Sequence, residues 1–455
     1  MQRPTILLIV HVFLPKYTFG TEIYTYTLAQ GLKKRGYPVH LICCESYTYE
    51  GVEDILGIDD VYDDIDVHRL YFNIGKTENP VRSAYYNPAI ENYLIKYISE
   101  TKPDLVHVNH STLISTAAIT APKKLGLPVV ATATDFWYIC PMGQLVRYDK
   151  SLCQGPNNPA KCLRCYTYGS EIGPHFRRIL DPIPDPLLNL ALHLCRHPWA
   201  DRDWRTKLVR ALLERPAWMR YILNSIDLIF SPSQFLRDLF VKNGVDPRKI
   251  RVSPHGIDAS WAEDLPPKKP SDHLRFAFIG MIGWHKGPHV LVQAFNRLPN
   301  PQGATLRLYG DCERFADYFR DLQGLMEGNP RISYEGKFPH EKIGEVLSEV
   351  DVLVVPSMWY ENTPVVMYEA FATKTPVIAT NAGGMAELIG QFDGGWLFPR
   401  GDVDELARTM QRLIDEPALV AEAGKHIKPV RRIEEHIADL ERAYEEVLAS
   451  RGGFS

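Results

Sequence analysis

Short apolar runs alternate with amphipathic stretches along this chain, and the whole alternation occurs twice. Ile6–Val12 predicts a strand, and residues 22–35, with Ile23, Tyr26, Leu28 and Leu32 at helical spacing, predict a helix that Gly36 stops. Val39–Cys43, Leu105–Val108 and Val129–Thr132 repeat the strand character. The rhythm restarts at Arg275–Ile279 and runs on through Thr305–Tyr309, Ile332–Tyr334, Val352–Val355 and Val377–Thr380. Strands that alternate with helices in this way predict a parallel, doubly wound α/β sheet, here one in each half of the chain. Between the halves lie Ser253-Pro254-His255-Gly256-Ile257-Asp258 and the Pro-rich Leu265-Pro266-Pro267-Lys268-Lys269-Pro270, which reads as a linker. The expected division is residues 1–255, residues 256–431 and an amphipathic, acidic closing helix within 432–455.

Length and composition agree with two globular domains. At 455 residues the chain exceeds one ordinary core, and two domains of about 200 residues each are expected. Hydrophobic content of 45% and charged content of 23% are those of a soluble globular protein. A net charge of −4 gives no overall pull towards nucleic acid. No apolar run approaches the roughly 18 residues that a bilayer span needs. The N-terminal run has one preceding positive side chain, no small-residue cleavage site and a Pro15-Lys16-Tyr17 loop directly after it, so it reads as a buried strand rather than a signal peptide. A cytoplasmic location is expected.

The chemistry concentrates in Trp359-Tyr360-Glu361-Asn362-Thr363-Pro364-Val365-Val366-Met367-Tyr368-Glu369-Ala370, between two apolar runs. Thr363 suits an N-cap and Pro364 the first helical position, which puts Glu361 at the mouth of a helix and Glu369 in its second turn. Unpaired N–H groups at such a helix start favour an anion or a polyhydroxyl ligand, and the two carboxylates can accept hydrogen bonds from sugar hydroxyls. Solvated glutamates on a surface helix are the plainer alternative.

The segment resembles the E-x7-E motif of retaining glycosyltransferases with the GT-B fold, in the large family-4 group (glycosyl transferases group 1). That resemblance implies two Rossmann-like domains facing a central cleft, with Glu361 towards the donor sugar and Glu369 on the nucleotide ribose. It extends over most of the chain. His11-Val12-Phe13-Leu14-Pro15, Gly20-Thr21-Glu22-Ile23-Tyr24 and Arg35-Gly36 look like the family's opening strand, glycine loop and first helix, with Phe19 where the family usually has the first of two glycines. Gly280-Met281-Ile282-Gly283-Trp284-His285-Lys286-Gly287 resembles the loop whose Arg and Lys neutralise the donor diphosphate; Lys286 is present, and Met281 stands at the Arg place. Asn381-Ala382-Gly383-Gly384 matches the family's glycine turn. Thr134 occupies the place of a His that the family sets near the donor sugar, and Asp135 beside it can orient an acceptor hydroxyl, accept its proton, or cap the following turn. GT-B proteins often pack a final helix back on the first domain.

Two segments stand outside that pattern. Cys140, Cys153, Cys162 and Cys165 fall in a loop-like stretch, 140–165, at spacing suited to a tetrahedral structural Zn²⁺; disulfides or unligated thiols are the alternatives. An insert at 170–225 is basic and apolar, with Arg177, Arg178, Arg196, Arg202, Arg205 and Arg210 among Leu187, Leu190, Leu194, Trp199, Trp204 and Trp218. It reads either as a helical flank lining an acceptor site or as a peripheral contact with an anionic membrane.

With these residues, the resemblance implies a hexosyl-type, metal-independent retaining glycosyltransferase that uses a nucleotide-diphosphate sugar and a glycan or lipid-linked acceptor. Lys286, Glu361 and Asp135 are the expected catalytic residues. Glu369, Lys286, Gly280, Asn362, Thr363, Val365 and Gly20 are expected to bind the donor. No cofactor is expected for catalysis. A nucleotide-sugar epimerase, or a non-catalytic, partner-dependent subunit, is the alternative.

Overall fold

The computed structural model describes residues 3–50, 54–170, 173–196, 203–266, 268 and 270–451. Trp199 and Arg202 of the basic insert and Pro267 and Lys269 of the linker lie outside them. Contacts divide the chain into two compact units. One comprises Met1–Pro232, Leu236–Pro254 and Glu434–Ser455; the other comprises Ser233–Phe235 and His255–Ile433.

Among the described residues, the first unit builds an eight-stranded sheet from β1 (Ile6–Ile9), β2 (Val39–Ser46), β3 (Leu56–Tyr62), β4 (Ile65–Tyr71), β5 (Leu105–Val108), β6 (Val129–Thr132), β7 (Leu228–Ser231) and β8 (Ile250–Val252). Their spatial order is β3-β4-β2-β1-β5-β6-β7-β8, parallel throughout except for the β3/β4 hairpin. Every residue of β1, β5 and β6 is buried, as strands covered on both faces must be. The chain order reverses between β1 and β5, so the loops after those two strands diverge and leave a crevice at their carboxyl ends.

The helix Ile433–Ala449 lies on this first unit. Ile437, Leu440, Ala443 and Tyr444 are buried, and an added Cβ on Gly31 would stand 1.9 Å from the Ile437 side chain. Tyr444 Oη meets His107 Nδ1 at 2.5 Å, and His107 Nε2 meets Thr132 Oγ1 at 2.8 Å. Burial pushes the His107 imidazole down to about 3, so it stays neutral and serves as a hydrogen-bonding core residue.

Among the described residues, the second unit builds a six-stranded parallel sheet from β9 (Leu274–Ile279), β10 (Ala304–Tyr309), β11 (Ile332–Gly336), β12 (Val352–Val355), β13 (Val377–Thr380) and β14 (Gly395–Phe398), in the order β11-β10-β9-β12-β13-β14. Side chains alternate between two cores. Phe276, Phe278, Leu306, Leu308, Val352, Val354 and Ile378 fill one face; Leu353, Val355, Val377 and Ala379 fill the other. Here the reversal falls between β9 and β12.

Several boundaries differ from the sequence reading. The first strand ends at Ile9, and the first helix runs Gly20–Lys34 rather than from Glu22. The β3/β4 hairpin, β7, β8 and β14 had no strong sequence signal; β3 in particular is an exposed edge carrying Asp59 and Asp60. The cysteine segment is not loop throughout, because Asn158 caps a helix, Pro159–Gly169, that carries Cys162 and Cys165. The described part of the insert is three helices, Gly173–Leu180, Asp185–Leu194 and Trp204–Ser225.

Candidate active site

The switch point of the second sheet gathers the residues that the sequence picked out. The loop after β9 closes as a 3-10 turn, Trp284–Lys286, and Gly287 follows at φ +73 as the N-cap of the helix Pro288–Asn296. A Cβ on Gly287 would lie 2.0 Å from the carbonyl oxygen of Pro356, in the loop after β12. Only glycine satisfies both the backbone angle and this approach. The Met358 N–H also donates to the carbonyl of His285 at 2.8 Å, so the two loops are laced together.

Lys286 and Glu361 meet as a result. Lys286 Nζ donates to Glu361 Oε1 at 2.7 Å, and the same oxygen accepts from Ser357 Oγ at 2.9 Å and Trp359 Nε1 at 2.6 Å. The ammonium also lies 5.4 Å from the Trp359 ring centroid. Burial works to raise the pKa of Glu361, but the Lys286 charge and the three donors outweigh it and hold the carboxyl below its ordinary value. Beside them His285, 4.4 Å from Trp359 between ring centroids, is pushed down to about 4 by burial and then by the Lys286 charge. The Lys286 ammonium, the Glu361 carboxylate tied to it and the neutral His285 imidazole thus stand side by side.

The helix after this loop starts one residue later than expected. It spans Val365–Ala372 with Pro364, not Thr363, at the N-cap position. Pro364 is in extended geometry (ψ 120), so the helical turn cannot begin until Val365. Asn362 Oδ1 accepts from Ser233 Oγ at 2.8 Å. Glu369 falls in the second turn, almost fully buried, with Oε1 at 2.6 Å from His340 Nε2. His340 escaped the sequence reading because it sits on an exposed turn with no motif around it. Gly280 commits its N–H to Tyr309 O at 3.0 Å. Gly383 and Gly384 pack against the site loop itself: Gly384 N donates to Glu361 O at 2.9 Å, and a Cβ on Gly384 would stand 1.4 Å from Asn362 O.

The first unit holds Gly20 and Asp135. Gly20 opens the helix Gly20–Lys34, and a Cβ there would meet nothing within 4 Å, so packing does not require glycine. Asp135 both caps a turn and forms a pair, accepting Trp137 N at 2.8 Å and lying 2.9 Å from His110 Nε2. Thr112 N donates to His110 Nδ1, which places the proton of the neutral ring on Nε2, facing Asp135. The His110 ring lies 4.3 Å from that of His11, and His11 Nε2 is 3.1 Å from Glu22 Oε1. Burial, then the neighbouring His110, lowers His11, while burial raises Glu22. His11, His110 and Glu22 were missed as site residues. Their signal was positional, since His11 and His110 each follow a strand that borders the switch point of this sheet.

The four cysteines of the zinc expectation, Cys140, Cys153, Cys162 and Cys165, are free of disulfides. Among the described residues no group of three or more His, Cys, Asp and Glu is arranged to hold a metal ion. Cys153 Sγ donates to the carbonyl oxygen of Gly155 at 3.2 Å. Burial first, then the neighbouring thiols, push Cys162 up to about 12; burial leads again for Cys165, pushed up to about 11. Among the described residues no helix is long and apolar enough to cross a membrane.

Comparison with known proteins agrees with this architecture. Residues 261–429 match the family described as Glycosyl transferases group 1, and residues 19–161 and 189–261 match Glycosyltransferase Family 4. The 2-deoxystreptamine glucosyltransferase of Streptomyces kanamyceticus is 32% identical over 190 residues, 39% of this chain and 48% of that protein. The putative colanic acid biosynthesis glycosyltransferase WcaL of Escherichia coli is 28% identical over 193 residues, 40% of this chain and 47% of that one. The chain thus spans about half the length of the curated relatives it matches. The sucrose-phosphate synthase of Thermosynechococcus elongatus superposes with a TM-score of 0.65 at 20% identity, over 98% of this chain and 100% of that one. Anabaena HepE, solved with UDP and glucose, superposes with a TM-score of 0.62 at 15% identity and the same coverage.

The fold is GT-B, two Rossmann-like doubly wound domains. The chain belongs to the family-4 type of glycosyltransferases, the glycosyl transferases group 1.

Proposed function

We propose that this chain is a metal-independent, retaining hexosyltransferase that moves a sugar from a nucleotide-diphosphate sugar to a hydroxyl acceptor. The observation that carries the reading is the Lys286–Glu361 pair, which stands at the switch point where ligands bind in open α/β sheets. Lys286 neutralises the diphosphate as the bond from the sugar C1 to the phosphate oxygen breaks. The start of the helix Val365–Ala372, with Asn362, Thr363 and Val365, adds backbone dipoles. Glu361 holds the sugar hydroxyls and Glu369 the ribose. The acceptor oxygen bonds to C1 on the face that the diphosphate leaves, and its proton passes to the departing phosphate oxygen. Asp135 and Gly20, in the first unit, serve the acceptor, with Asp135 orienting the hydroxyl.

A glycan or lipid-linked acceptor in cell-surface polysaccharide or glycolipid synthesis fits relatives named for colanic acid biosynthesis. Peripheral contact with the inner face of the cell membrane fits the exposed Leu187, Leu190 and Leu194 on one helix, with exposed Arg178, Arg196 and Arg205 nearby in sequence. Met281, uncharged at the place of an Arg, favours a second reading as a binding subunit without turnover.

The test is binding and turnover of UDP-, GDP- and ADP-sugars by wild type and Glu369→Ala. One donor that binds, is slowly hydrolysed and is lost in the variant supports the enzyme. Binding without turnover, with or without an acceptor, supports the subunit. Release of a sugar of inverted anomeric configuration would refute retention.

A further inference from the structure

The contact between His340 and Glu369 has no place in the proposed chemistry, and it occupies the oxygen that chemistry needs. Glu369 sits in the second turn of its helix with a side chain only 7% exposed, whereas that of His340 is 68% exposed. Oε1 of the buried carboxylate lies 2.6 Å from the imidazole Nε2. A ribose presents two adjacent hydroxyls, and a carboxylate receives them best with one on each oxygen. The imidazole and one hydroxyl therefore contend for Oε1. The carboxylate is packed into the helix and cannot move away. The imidazole stands on the short turn His340–Lys342 beyond β11, an edge strand, and can turn out into water.

We propose that His340 is a positioning residue that competes with the nucleotide's ribose for Glu369, so that nucleotide binding expels the imidazole and releases its proton. The proposal rests on the reading of Glu369 as the ribose carboxylate.

The direction of the coupling follows from the charges around the ring. The hydrogen bond to Glu369 raises the imidazole above its ordinary 6.5, burial opposes this, and the charges of Glu369 and then Glu341 add to the rise. Glu369 faces it from the helix Val365–Ala372, and Glu341 from its own turn. The helix Ile343–Ser348, packed on that turn, carries Glu345 in its first turn. In the free protein the imidazole is thus stabilised as the cation. Once the ribose takes Oε1, the cation loses its main partner and its acidity returns towards the ordinary value. Protons and nucleotide then oppose each other. Affinity rises as pH rises through the raised value of His340 and is flat above it.

The experiment is calorimetric titration of UDP, with GDP and ADP in parallel, into wild type, His340→Ala, His340→Gln, Glu369→Gln and Glu369→Ala. It runs from about pH 6 to about pH 8.5, in two buffers of different ionisation enthalpy. Wild type is expected to gain affinity by up to about tenfold per pH unit at the acid end, to level off above, and to release a proton on binding. Both His340 variants are expected to bind several-fold more tightly than wild type at the acid end, keeping only the shallow slope of the nucleotide's own phosphate. Weaker binding by His340→Ala at every pH, or a wild-type slope in both variants, overturns the competition while leaving the ribose reading intact. If Glu369→Gln and Glu369→Ala bind UDP as wild type does, or if wild type binds none of the three nucleotides, the ribose reading fails and the proposal falls with it.

Discussion

Replacing Lys286 with Met separates what the ammonium does for the fold from what it does for the ligand. In the structure it lies 2.7 Å from Glu361 Oε1, and Ser357 Oγ and Trp359 Nε1 share that oxygen. The side chains are 27% and 11% exposed. Removing one partner of a fully buried ion pair costs about 3–5 kcal/mol. Here the two remaining donors and the partial exposure of Lys286 reduce the expected cost to about 1–3 kcal/mol. That corresponds to a fall in Tm of roughly 2–10 °C. The pH dependence has a definite sign. Glu361 is held below its ordinary value when folded, so its contribution is present above the unfolded value and is lost as pH falls through the folded one. Without the cation, burial is opposed only by neutral donors. The stability gap between wild type and variant is therefore widest near neutrality and narrows in acid. A second change, Glu361→Gln, removes the stranded charge, so the double variant recovers most of the lost Tm. It does not recover the ligand. Losing one charge-assisted hydrogen bond to the diphosphate, about 1.5–3 kcal/mol, weakens UDP by roughly 10–150-fold in both variants. Differential scanning calorimetry and UDP titration measure the two effects separately. A Lys286→Met protein with unchanged Tm and a UDP affinity within a factor of about three of wild type would refute the reasoning.

Three further outcomes follow from single contacts. Gly384→Ala puts a Cβ 1.4 Å from Asn362 O, so the Glu361 loop must shift; donor turnover is expected to fall by about 100-fold, and a fall below threefold would place the loop outside the reaction. Tyr444→Phe leaves the buried His107 Nδ1 without its 2.5 Å partner; stability should drop by about 1–3 kcal/mol in urea titration, while turnover per folded molecule is unchanged. Arg275→Ala removes a guanidinium that meets Asp351 at 2.9 and 2.8 Å and is only 9% exposed. The expected loss is about 3–5 kcal/mol by calorimetry, partly recovered in Arg275→Ala/Asp351→Ala, and a loss no larger in the single variant than in the double would contradict the pairing.

How far each feature could be read from the sequence depends on what the fold demands of it. Val352–Val355 and Val377–Thr380 are apolar at every position because both faces of the sheet are covered, and the sequence places both strands at their observed ends. Edge strands carry no such demand. β3, with Asp59 and Asp60 exposed, reads as loop until β4 is seen to pair with it. The site divides along the same line. Gly287 and Gly384 leave a visible trace because a neighbouring backbone excludes any side chain there, so the loops bearing Lys286 and Glu361 announce themselves one at a time. That the two side chains meet is a consequence of sheet order, which sets β9 beside β12 although β10 and β11 intervene in the chain. Local pattern does not contain that adjacency. The cysteines show a further limit: their spacing is a ligand spacing, while the helix from Pro159 and the contact of Cys153 with Gly155, which fix where the thiols stand, are not written in that spacing. His340 is the extreme case. Its turn tolerates many residues, and only the buried oxygen of Glu369, 2.6 Å away, gives the imidazole a consequence. Residues of this kind, exposed themselves but touching a buried group, are where a structure adds most to a sequence, because the constraint lies on the partner and not on the residue.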